Sequence, residues 1–162
     1  MLHVISFTFF ERFYICLHSL ITGEQLKGLA QDRLDEAKLM YQNNFYQGAY
    51  YLAGYAAEFA LKALICKRLG VEVFIGGAGL AEVAKALQTH HLPTLMVFSG
   101  LFPALQEEKI NNETLFKAWS KVSEWTEQRR YMPLECSQQT VSNFINATEK
   151  VMQWILNNYE TD

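Results

Sequence analysis

Residues 45–70 read FYQGAYYLAGYAAEFALKALICKRLG, and this stretch decides the fold. Tyr50, Tyr51, Leu52, Ala53, Tyr55, Ala56, Ala57, Phe59, Ala60, Leu61, Ala63, Leu64 and Ile65 leave almost no polar face at helical spacing. A helix that is apolar nearly all round is enclosed by protein on most sides. Residues Phe45 to Leu69 are therefore expected to form the central helix of an all-α bundle. The many alanines, with Gly48 and Gly54, let neighbouring helices come close, and Gly70 is a natural stop after the last turn.

Working outward, amphipathic helices are expected on both sides. On the N-terminal side Thr22 and Gln25 have capping-box spacing. Leu26, Leu29, Ala30, Arg33, Ala37, Met40 and Tyr41 come next in steps of three and four, Arg33 being the polar intruder, up to Asn43–Asn44. On the C-terminal side Gly76–Gly79 is a loop without phosphate-cradle spacing, and Leu80 to Gln88 reads as a short helix. A second short helix runs from Pro93 to Phe98, and Gly100 and Pro103 break up the stretch after it. Asn112 caps a long helix from Glu113 to about Arg130, with Leu115, Ala118, Trp119, Val122 and Trp125 or Thr126 inward. Ser137 caps the last helix, whose inward face is Val141, Phe144, Ile145, Thr148, Val151, Met152 and Ile155. The expectation is an antiparallel bundle of five to six helices around the central apolar one, filling residues 21–162 as one domain.

The first twenty residues, MLHVISFTFFERFYICLHSL, stand apart as an N-terminal extension, an arm or a strand. They lack a basic leading region, and Glu11–Arg12 interrupts a short apolar run, so they fit neither an export signal nor a membrane span. Half of the residues are hydrophobic and 19% are charged, which gives the chain enough apolar surface to fold and some left over for a subunit interface. The formal net charge is −3 and the few basic pairs are scattered, which argues against DNA or any non-specific phosphate-backbone binding. Cys16, Cys66 and Cys136 are far apart and odd in number, so neither a disulfide framework nor a metal site is expected, and a cytoplasmic location fits.

Three groups of polar residues stand out against this background. Glu58 and Lys62 sit four apart on the central helix, the favourable order for a helical ion pair, and they either lock packing or line a groove. His90 and His91 precede Leu92–Pro93; they diverge on any helix, so they do not share a metal, and each is a packing, capping or phosphate-contact histidine. Arg129, Arg130 and Tyr131 close the long helix, where guanidiniums either satisfy its last carbonyls or make a compact anion site.

In order and spacing, Ala49–Tyr50, Ala57–Glu58, Leu61–Lys62–Ala63–Leu64, Gly70, His91–Leu92 (a His-Leu or His-x-Leu element) with Leu95, and Arg130–Tyr131 resemble the HEPN family (higher eukaryotes and prokaryotes nucleotide-binding). The likeness runs from about Glu24 to Tyr159. It implies a helical bundle, commonly a homodimer with its functional groove between protomers. Many members are metal-independent ribonucleases carrying an arginine with a histidine four to six residues later. Here that window holds Leu134, Glu135 and Cys136 and no histidine.

The resemblance thus implies a non-catalytic, cofactor-free module rather than an enzyme. Its ligand would be a nucleotide or RNA phosphate, or a nucleotidyltransferase protein as partner, held by Glu58, Lys62, His90, His91, Arg129, Arg130 and Tyr131. The alternatives are an endoribonuclease of toxin or antiphage type, using Arg130 with His91 or His90 displaced in sequence, and a structural helical adaptor.

Overall fold

The computed structural model of the chain describes residues 21–71, 88–131 and 137–161. The expected N-terminal extension and the short helix from Leu80 lie outside the described residues. The rest is helical, with no strand among the described residues. Helix α1 spans Gly23–Gln42 and opens on the capping box read from the sequence. The Thr22 hydroxyl accepts the Gln25 N–H at 3.1 Å, and the Gln25 carboxamide oxygen accepts the Thr22 N–H at 2.9 Å. Its buried stripe is Leu26, Ala30, Leu34 and Ala37. Leu34 takes the place expected for Arg33, because steps of four, four and three hold one line. Arg33 lies about 100° away and pairs with Glu36 at 2.9 Å.

Asn44 turns the chain in the left-handed region at φ 65°, and helix α2 runs back antiparallel over Tyr46–Leu69. Every residue from Ala56 to Cys66 except Phe59 is buried, as a helix without a polar face requires. Gly70 ends α2 at φ 61°, where its N–H and that of Val71 return to the Lys67 and Cys66 carbonyls. Helix α3 is Leu92–Phe98 and helix α4 is Phe102–Asn111. The second of these is a correction, since Pro103 starts a helix instead of breaking one. Proline is tolerated in the first turn, where its missing N–H would have no helical partner.

Helix α5 covers Glu113–Val122 and is much shorter than expected. The long helix to Arg130 does not exist. The Ser123 hydroxyl turns back to the Ser120 carbonyl at 3.3 Å, and the chain leaves the helix to bury Trp125 completely. The indole lies on Gly54 of α2, so close that an added Cβ there would meet it at 2.1 Å. A 3₁₀ turn, Glu127–Tyr131, then carries Arg129 and Arg130. Helix α6, Gln138–Thr161, is capped by the Ser137 hydroxyl and buries the whole face expected of it. α2 packs against α1, α3, α6 and the 3₁₀ turn, α6 also covers α5 and α1, and α4 leans on α5.

Candidate functional site

Along one side of α2, Tyr51, Tyr55, Glu58 and Lys62 are spaced by four, three and four residues, which places them in a line. Glu58 is fully buried and Lys62 is 5% exposed. The Lys62 ammonium donates to Glu58 Oε1 at 2.6 Å, so the carboxylate is paired inside the core. His90, at the start of the segment leading into α3, brings Nδ1 to 3.0 Å from both Glu58 oxygens. A carboxylate engaged by an ammonium is an acceptor, so Nδ1 carries the proton and donates it. The imidazole is held in one orientation by a buried anchor while 41% of its side chain remains exposed.

Tyr55 continues the line. Its ring meets His90 edge-on at 6.1 Å and Trp125 edge-on at 5.0 Å. Its hydroxyl lies 3.1 Å from that of Tyr51. Burial, and then the bond to Tyr51, push the Tyr55 phenol well above its ordinary range, so it stays a neutral hydrogen-bonding group. The Glu58 charge adds to that rise, and the Arg130 charge opposes it.

Arg130 lies over the Tyr131 ring at 4.7 Å. Tyr131 first, and Tyr51 after it, hold its guanidinium still more firmly charged than usual. Arg129 lies 5.9 Å over the Tyr50 ring, which stacks on Phe144 at 4.0 Å. Neither arginine has a carboxylate partner among the described residues.

Glu58, Lys62 and His90 thus form one linked group with Tyr55 and Tyr51 beside it, while Arg129, Arg130 and Tyr131 sit on the 3₁₀ turn that packs on α2. His91 is not part of it. It is the N-cap of α3: Nδ1 accepts the Thr94 N–H at 3.3 Å and lies 2.8 Å from the Thr94 hydroxyl. The histidine that reaches α2 is therefore His90, in the His-x-Leu form with Leu92. Arg129 and Arg130 do not satisfy the last carbonyls of a long α-helix either, because that helix stops at Val122.

By spacing, Tyr51 and Tyr55 belong to the apolar mass of α2, and the inward place after Val122 falls to Trp125 or Thr126; the structure gives it to Trp125. The missed signal was the step the two tyrosines share with Glu58 and Lys62. No group of three or more metal-ligating side chains occurs among the described residues. A cavity of about 680 Å³ lies elsewhere, where the start of α1 meets the ends of α2 and α6. Its charged groups satisfy one another. Lys27 pairs with Glu24 and Glu160, Lys67 donates to the Tyr159 carbonyl, and both ammoniums sit over the Tyr159 ring.

Fold and cluster together define a helical-bundle module with a buried charge pair on its central helix and an arginine turn beside it. A family model described as HEPN domain matches residues 24–159, most of the chain and the same span as the likeness seen in the sequence. The chain belongs to the HEPN domain family. No curated protein matches it, and no solved structure does. None of the described helices is long and apolar enough to cross a membrane.

Proposed function

We propose that this HEPN module binds the phosphate group of a nucleotide or RNA without cleaving it, and works as a homodimer in the cytoplasm. A nucleotidyltransferase-type protein is the partner it would present that ligand to, or dock against directly. One observation carries the ligand: Arg129 and Arg130 are two guanidiniums on a surface turn, backed by tyrosine rings and lacking a described carboxylate to neutralise them. Guanidiniums match phosphate oxygens in pairs, and a tyrosine shelf limits how far they wander. Calorimetry with ATP and a short RNA tests this. Binding that weakens with salt and disappears in Arg130→Ala supports it; no heat at millimolar ligand sinks it. Sedimentation of the full chain tests the dimer separately.

A second reading is favoured by the bond between His90 and Glu58. A histidine oriented by a buried carboxylate is equipped for proton transfer. It would supply, from an unusual place in the sequence, the histidine absent after Arg130. RNA cleavage lost in both Arg130→Ala and His90→Ala, yet kept in Lys121→Ala on the exposed face of α5, would replace the non-catalytic proposal with a ribonuclease.

A further inference from the structure

Residues 123–131, SEWTEQRRY, hold no glycine or proline, and Glu124, Glu127, Gln128, Arg129 and Arg130 are good helix formers. The inward stripe of α5, Leu115, Ala118, Trp119 and Val122, continues at the same spacing to Trp125. Ser123 still has a helical backbone, and its N–H reaches the Trp119 carbonyl, four residues back, at 2.8 Å. Two residues later the ladder is lost: the Trp125 N–H turns to the Val122 carbonyl, three back, at 3.0 Å. The local sequence therefore favours more helix, and the seat on Gly54 is what stops it. That seat leaves one group unmet. Trp125 is fully buried, yet its indole N–H has no acceptor among the described residues, and a buried donor without a partner weakens the state that contains it. The 3₁₀ turn has no deep anchor of its own, since none of its residues is buried and Arg129 reaches over the Tyr50 ring at 5.9 Å.

We infer that Trp125 is a latch that sets where the arginine pair stands. With the indole on Gly54, α5 ends at Val122 and the 3₁₀ turn carrying Arg129 and Arg130 lies against α2. With the indole out, α5 runs on to Arg130 in the same register. Eight further residues at 1.5 Å each put Arg130 about 12 Å past Val122, along an axis that packs on α6 and α4 rather than on the tyrosines of α2. On that continuous helix the indole keeps to the α5 stripe and residues 124–130 regain their ladder, so each state offsets part of what it gives up. Glycine at position 54 is the condition for the seated state, because a Cβ there falls 2.1 Å from the indole nitrogen. Trp125 and Gly54 are thus positioning residues for Arg129 and Arg130, whatever those arginines bind.

The test is NMR on the full chain, reading the Cα shifts of residues 124–130 in the wild type and in Trp125→Ala. The wild type is expected to show the shifts of a turn. Trp125→Ala is expected to move residues 124–130 to helical values, while α1 and α6 keep their wild-type shifts. A tryptophan that only fills space gives the opposite result, because the segment it held then moves to coil values. Coil values, or shifts unchanged from the wild type, overturn the latch. Gly54→Ala keeps the tryptophan and closes its seat, and it decides in the same way if Trp125→Ala does not fold. If neither variant folds, saturation-transfer exchange on the wild type decides. A minor state with helical Cα shifts at residues 124–130 supports the latch, and flat profiles overturn it.

Discussion

Two lysine–carboxylate clusters sit on this bundle, built from the same groups and placed in opposite surroundings. At the middle of α2 the pair Glu58–Lys62 lies inside the core, with His90 as its third member. Where the start of α1 meets the ends of α2 and α6, Lys27, Glu24 and Glu160 pair in contact with water around the Tyr159 ring. Exposed pairs gain little, because water screens the attraction and two long side chains must be held still. A buried pair is costly to form and still more costly to break, since either partner left alone is a naked charge in the interior. The inner cluster therefore fixes structure around itself, while the outer one only decorates an end of the bundle.

The most severe way to break this comparison is Glu58→Ala. It removes the buried carboxylate that Lys62 and His90 share and is expected to cost about 3–5 kcal/mol in urea unfolding. A midpoint near that of the wild type would mean Lys62 finds another way out of the core. Next in size is Gly54→Ala, which drives a methyl group into the Trp125 indole at 2.1 Å. The loss expected is about 1–3 kcal/mol, with a changed near-ultraviolet circular dichroism signal from the displaced tryptophan.

Alkaline pH gives a smaller effect with a definite sign. The folded state holds the Tyr55 proton above the usual value of 10.0, so that contribution is complete below it. It is lost as pH rises above 10.0 and toward the folded value. The urea midpoint should fall over that range, and by less in Tyr55→Phe. The smallest effect belongs to the outer cluster: Lys27→Ala should leave the midpoint unchanged within error. On the acid side, the Tyr159 hydroxyl holds the Glu24 carboxyl below its ordinary value. Its slight stabilisation is present above the ordinary carboxylate range and fades as pH falls through the folded value, with Tyr159→Phe flattening that slope.

The core of the fold was legible because it derives from local pattern. An apolar helix has one place to go, and the inward faces of α2, α5 and α6 were read from spacing. What was not legible depends on how distant surfaces fit. Nothing near Val122 announces that α5 stops there, since the reason is the seat that Gly54 offers to Trp125 from another helix. Arg33 and Leu34 were confused because the stripe of α1 could be drawn through either until the partner helix fixed its angle. In the candidate site, Glu58, Lys62 and the arginine pair were visible as charges out of place. Choosing His90 over His91 was not possible from sequence, because neighbouring histidines differ only in what stands opposite them. The tyrosines were hidden by their own double character: a phenol is counted as apolar when spacing is read, yet Tyr51 and Tyr55 join the site through their hydroxyls.

Helix α4 has a consequence in time rather than in structure. Leu105 is the one residue it buries, and Phe102 and Ile110 lie open on it. An isolated helix of this length is marginal in water, so α4 has little beyond one side chain and its seat on α5 to keep it folded. Its amide protons should exchange with deuterium long before those of α2, in an opening that leaves the rest of the bundle intact.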